Sequence, residues 1–346
     1  MLILRSLLVA LMVALVGCAT ADRPPDVVVS EYTWRQVDSD IGAASDAAAA
    51  QAEKYALDFM ESWMDLVYKR TDDDFIPWFS SYWTRQWLSM KVAWYRVSAD
   101  GDKDSAVNRL SIYLQEQYQD RVLEPVSEQI DPDDVMQKTT SFYVLRLGEQ
   151  LQVIPQRYGV PPEQFDQRLN QIPAIALTQP AYSASLYQVV HADPLDELQA
   201  YDALIERILT TPGGPGAWAS NEGIASMAKH TSETLEAELT ASSAASALGA
   251  LVGRVAGSVI SLGVAGFTAL TRENERPATE ARLRKNINAA FDEEWLNLMR
   301  NRETGVLAGV YYLSGQIEVG LGQLEAQRLK YEPVAGDASS TPIPAD

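Results

Sequence analysis

Residues 46–67 read DAAAAQAEKYALDFMESWMDLV, and this stretch decides the fold class. Alanine has the highest helix propensity of any residue. Behind the alanine run, Tyr55, Phe59, Trp63, Leu66 and Val67 fall on one face at a spacing of three to four, the period of an amphipathic helix. Strictly alternating apolar patterns are scarce elsewhere. Residues 139–147 come nearest to one, and they fit a helix equally well. The chain is therefore expected to be all-α, a helical bundle.

Working outward, further helices are expected over about 77–98, 104–124, 133–157, 162–171, 194–210, 218–270, 277–301 and 303–330. Pro77, Pro162, Pro194 and Pro277 suit first-turn positions, where the missing N–H would have had no partner. The run Thr211-Pro212-Gly213-Gly214-Pro215-Gly216 cannot continue a helix and is the clearest internal break. The helical regions 41–212 and 217–331 are read as parts of one domain. Residues 332–346, rich in Gly, Ser, Thr and Pro, are read as a tail with too little apolar surface to order itself.

Before the helical region, Arg5 supplies a positive charge, residues 6–16 are apolar, and small residues follow, which is the make-up of a secretory signal. Leu15-Val16-Gly17-Cys18 resembles the lipobox of bacterial lipoproteins. That resemblance implies removal of residues 1–17 and acylation of Cys18. With Ala19 following the cysteine, it further implies sorting to the outer membrane. Each buried methylene of an acyl chain contributes about 0.8 kcal/mol, so several chains on one residue make anchoring stable. Residues 18–40, headed by Arg23-Pro24-Pro25-Asp26, are expected to form a tether, with a brief strand through Val27-Val28-Val29 as an option.

Composition narrows the functions. The formal net charge is −19, and loss of Arg5 with the signal makes the chain more acidic still. Such a balance argues against nucleic acid and against general adhesion to anionic lipid. Cys18 is the only cysteine, so no disulfide is available and stability must come from the core.

Two helical stretches depart from an ordinary soluble protein. In the first, Ala245, Gly249, Gly253, Gly257, Ser261, Ala265 and Ala269 recur every four residues, a stripe of small side chains through an apolar segment. Such a glycine zipper lets a helix backbone approach a neighbour closely. Its expected partner is the stretch containing Gly305, Ala308 and Gly309, or a second copy of residues 245–269. Arg254 costs about 2.5 to 3.5 kcal/mol in a membrane centre, and nine or ten apolar residues return about 0.3 to 0.6 kcal/mol each. The sum lies near zero, so the segment is read as a central buried helix, with entry into a bilayer as the alternative. In that alternative the architecture loosely resembles α-helical pore-forming proteins.

In the second stretch, Ile76, Phe79, Trp83, Trp87, Met90, Trp94 and Val97 form a narrow helical stripe. Residues 76–98 hold no acid but include Arg85, Lys91 and Arg96. A stripe of aromatics is read first as core. The alternative is a membrane interface built on Trp83, Trp87, Trp94, Arg85 and Lys91.

Signals for catalysis are weak. Ser226-Met227-Ala228-Lys229 resembles the Ser-x-x-Lys of penicillin-binding enzymes, but their Lys-Thr-Gly and Ser-Asp-Asn elements do not occur. His230 with Glu233, and His191 near Asp193, Asp196 and Glu197, offer too few histidines for a zinc or di-iron site. No cofactor is expected and no catalytic residue is assigned. The sequence points to a non-enzymatic, lipid-anchored envelope protein facing the periplasm. It is held by its N-terminal lipid and has a protein partner or a second copy of itself to bind. A membrane-active protein using residues 241–270 and a periplasmic hydrolase are the rivals.

Overall fold

The computed structural model describes residues 28–98, 109, 113–114, 116–177, 182–211 and 276–331. Cys18, the ladder from Ala245 to Ala269, the Ser226–Lys229 motif, His230 and the tail 332–346 lie outside the described residues. Within them the chain is mostly helical, with one small two-stranded sheet.

The first described helix, α1 (Glu31–Arg70), starts well before the expected position. Ser30 stands extended ahead of it, and its side chain accepts the Thr33 N–H at 3.1 Å. That bond satisfies one of the free N–H groups of the first turn, and Glu31 sits in the positive end of the dipole. Val37 and Ile41 already face the core, so residues 31–40 belong to the folded body and the tether reading ends at Ser30. Residues 28–30 form no strand, and Val28 is exposed.

The buried face of α1 is also rotated from the aromatic stripe. Ala44, Ser45, Ala48, Ala52 and Ala56 form a ridge of small residues that continues into Met60, Trp63, Met64 and Val67, while Phe59 is 38% exposed. Short side chains let the backbone of α5 (Pro132–Leu151) approach closely, and the α1–α5 seam is the most extensive helix pairing among the described residues. Across it the Ser45 and Tyr143 hydroxyls bond at 2.7 Å, and the Tyr55 ring stacks on Phe142 with centroids 4.7 Å apart. Residues 139–147, the best strand candidate, are thus interior turns of α5, which buries Thr139, Thr140, Tyr143, Val144 and Leu147 on one face.

Shorter elements surround this pair. A π-helical turn (Thr71–Phe75) carries α1 into α2 (Ile76–Ser80), and α3 (Tyr82–Ser98) follows. A second π-helical turn (Gln119–Leu123) leads to α4 (Glu124–Ser127) and then α5. After α5 come α6 (Ile154–Tyr158), α7 (Pro162–Asn170), β1 (Pro173–Ala176), β2 (Ser183–Ser185), α8 (Leu186–His191), a 3₁₀ turn (Leu195–Glu197) and α9 (Gln199–Thr210). Pro77 and Pro162 occupy first-turn positions, whereas Pro194 caps the 3₁₀ turn from outside. The β1–β2 pair is antiparallel, with Ile175 opposite Ala184 and an irregularity between Pro173 and Ile175.

Two long helices, α10 (Arg276–Arg300) and α11 (Ala308–Tyr331), complete the described body. Gly305 lies in the tight turn between them, where a Cβ would strike the carbonyl oxygens of Leu298 and Asn301. α11 lies across α1, α5 and β1, and Tyr312 bonds both the N–H and the carbonyl of Ala176. The Gly309 face was expected to receive the glycine ladder. Instead it is filled by Thr140 of α5, so closely that a methyl group would overlap the threonine side chain. Near the end of α11, Arg328 pairs with Asp38, which also accepts from Arg168 Nε at 2.9 Å, so α1, α7 and α11 are joined at one end. No helix among the described residues is long and apolar enough to cross a membrane.

Replacing Gly309 by Leu should overpack the α11–α5 contact and lower stability by about 1 to 3 kcal/mol. Gly322, in the same helix, has nothing within 4 Å of an added Cβ. Gly322→Ala should raise stability by up to about 1 kcal/mol through helix propensity. Denaturant unfolding of the two variants measures both.

Candidate functional site: an exposed tryptophan face

The helix begun at Glu31 runs through the first π-helical turn and α2 as far as Ser80. It stops there because Ser81 is extended, with φ −65° and ψ 144°. Ser81 then caps the next helix, its hydroxyl standing in for the backbone acceptor that the first turn lacks. Its Oγ accepts the Thr84 N–H at 3.2 Å and donates to Thr84 Oγ1 at 2.7 Å. A non-helical residue resets the rotational phase, so residues on opposite sides of Ser81 no longer share a face.

The consequence falls on the aromatic stripe. Ile76 and Phe79, before the break, are buried, whereas Trp83, Trp87, Met90 and Trp94 are 81%, 51%, 58% and 64% exposed. This overturns the core reading of Trp83, Trp87 and Trp94. The spacing was helical throughout, but the helix was not continuous. α3 instead turns Thr84 and the fully buried Leu88 inward. Spacings of four, three and four still hold Trp83, Trp87, Met90 and Trp94 on one side of α3, so the chain presents a row of large apolar side chains to its surroundings.

A basic residue lies beside it. Lys91 Nζ lies 5.7 Å from the Trp87 ring centroid and 3.8 Å from that of Tyr113. Arg85 is on the same helix. An ammonium above aromatic faces is attracted by the ring quadrupoles, which keeps the charge beside Trp87 and Tyr113.

The root of α3 is held by an aromatic cluster that the sequence does not announce. Thr71 Oγ1 and Tyr118 OH bond at 2.6 Å in the core, tying the first π-helical turn to the residue before the second. Phe75 meets Tyr118 edge-on at 4.9 Å, Tyr118 stacks on Phe291 at 5.6 Å, and Phe291 meets Trp63 at 6.2 Å. Burial pushes the Tyr118 phenol pKa upward, so it stays protonated. The Arg121 guanidinium covers the Trp78 ring at 4.5 Å. Tyr68 donates to Asp292 and Arg284 pairs with Asp72, so α10 braces the same root.

Other candidates resolve differently. His191 stacks on Tyr187 at 4.2 Å, with Nδ1 2.9 Å from the Tyr187 carbonyl. It borders an apolar cavity of about 560 Å³ lined by Leu151, Val160, Phe165 and Val190. Among the described residues no group of three or more His, Cys, Asp or Glu could hold a metal ion. At the start of α5, Asp131 caps the helix by accepting the Asp133 N–H at 2.9 Å. One buried carboxylate oxygen of Asp133 has no hydrogen-bond partner. Burial, then the negative charges of Asp131 and Asp134, push the Asp133 carboxyl up to about 6.

Compared with protein-family models, curated proteins and solved structures, the chain matches none.

Two outcomes follow from this geometry. Single Ala substitutions at Trp83, Trp87 or Trp94 should change stability by less than about 0.5 kcal/mol, as at other exposed positions. Trp63→Ala, in the core, should cost about 3 to 5 kcal/mol. Chemical denaturation of the four variants separates them. For Asp133, the native state holds the proton more tightly than the unfolded chain. Its stabilising contribution is thus complete below about pH 4 and is lost as pH rises towards 6. Asp133→Asn should raise the Tm at about pH 7 and leave it little changed below about pH 4, which thermal scans at the two pH values test.

Proposed function

We propose that this chain is a non-enzymatic, lipid-anchored component of a bacterial envelope. It is acylated at Cys18 in the outer membrane, its helical body faces the periplasm, and it works through the exposed aromatic face of α3. The observation that carries the reading is that face. Large apolar side chains in an exposed row cost solubility and mark interaction surfaces. Trp83, Trp87, Met90 and Trp94 form such a row on an otherwise strongly acidic protein. Support for the anchor comes from the Leu15-Val16-Gly17-Cys18 motif and the lone cysteine. The first residue of α1 lies only thirteen positions beyond Cys18. At about 3.5 Å per residue, the connecting chain keeps the start of the body within about 45 Å of the lipid.

Cys18→Ser should abolish fatty-acid incorporation and release the protein from the membrane fraction. Labelling of the variant equal to that of the wild-type chain would end the lipoprotein reading. Co-purification from membranes through the lipid anchor, with and without Trp83→Ser and Trp87→Ser, should show a protein partner or a second copy only with the tryptophans intact if the face binds protein.

A further inference from the structure

We propose that the occupant of the α3 face is the headgroup layer of an anionic phospholipid bilayer. This deepens the preceding reading, since it rests on that face being an interaction surface. The chemistry of the row carries it. An indole buries an apolar body and keeps an N–H in contact with water, which places Trp at the boundary between acyl chain and headgroup. Met90 lies in the same row, with Trp83 and Trp94 on either side of it along the helix.

Charge complementarity selects the lipid. The chain carries −19 overall, yet residues 76–98 contain Arg85, Lys91 and Arg96 and no acid. Anionic headgroups attract such a stretch and repel the rest of the body, so contact is confined to one helix. The placement of Lys91 adds to this. Protein–protein interface cores are depleted in lysine. Interfacial helices instead place Lys and Arg alongside Trp, as Lys91 lies against Trp87 here.

The length of α1 gives the contact a geometry. α1 is 40 residues long, with the segment leading to Cys18 at its start and α3 beyond its end. At the rise of an α-helix that length spans about 60 Å. A lipid at one end and an interfacial helix at the other give two attachment points that would lay α1 along a bilayer.

The test uses the full mature chain carrying Cys18→Ser, so that no acyl chain contributes. It is mixed with vesicles of phosphatidylethanolamine and phosphatidylglycerol at 3:1, or with vesicles of phosphatidylcholine alone. The protein should sediment with the anionic vesicles, with a blue shift in tryptophan emission, and far less with the neutral ones. The triple variant W83S/W87S/W94S should lose at least tenfold in partitioning while keeping the Tm of its parent. Three results would overturn the proposal. These are no sedimentation of the parent, equal sedimentation of the triple variant, or a fall in Tm or change in oligomeric state on the triple substitution. The last would assign the face to residues 241–270 or to a second copy. Acylation of the native chain is read separately by labelling, and loss of a protein partner from the triple variant without loss of vesicle binding would leave the anchor reading standing while overturning the lipid assignment of the face.

Discussion

Everything in the described body is arranged around the close approach of α1 to α5. Ala44, Ser45, Ala48, Ala52 and Ala56 remove side-chain bulk from one stripe of α1, so attraction along the seam acts at short range and over many atoms. A ridge of alanines buries little area per residue and contributes little alone. Its effect is to bring larger groups together. Tyr143 reaches Ser45, Phe142 meets Tyr55, and Thr140, one turn before Tyr143 on the buried face of α5, receives Gly309 of α11. A bulkier residue anywhere in that stripe would separate the two helices and loosen the third.

The functional surface depends on the same helix at its other end. α1 delivers the chain into a π-helical turn whose Thr71 is tied to Tyr118, and Phe291 fills the space against Trp63. This cluster packs the root of α3 against the body, while Trp83, Trp87, Met90 and Trp94 on its outer side are exposed. Large aromatics thus play opposite parts within a short length of chain. Trp63 and Phe75 hold the body together, and Trp83, Trp87 and Trp94 face outward. Residue type alone does not separate these roles, but position relative to Ser81 does.

The helical character of the chain was legible from propensity and period, and so were many element positions, including α10 and the first-turn prolines of α2 and α7. Four features were not, or only in part. The start of α1 rests on a serine cap and on Val37 and Ile41, too few apolar residues to stand out from a polar stretch. The core face of α1 was read in part: Trp63 and Val67 are buried as expected, but large aromatics dominate a hydrophobic pattern, so exposed Phe59 was included and the alanines that face the core looked neutral. The exposure of the tryptophans turned on one extended residue, and a serine among helical spacings is an ambiguous mark, since the same residue can sit inside a helix or cap one. The β1–β2 pair was missed because such short strands, built from Pro, Ala, Ile and Ser, have no alternation long enough to read.

The clamp at Asp38 has a topological consequence. Arg328, close to the end of α11, is bonded to Asp38 and lies 3.6 Å from Glu31, the first residue of α1. The described body therefore begins and ends at the same pole, with its two outgoing chain segments starting side by side. A reporter held at the end of α11 would thus sample the surroundings of the first turn of α1.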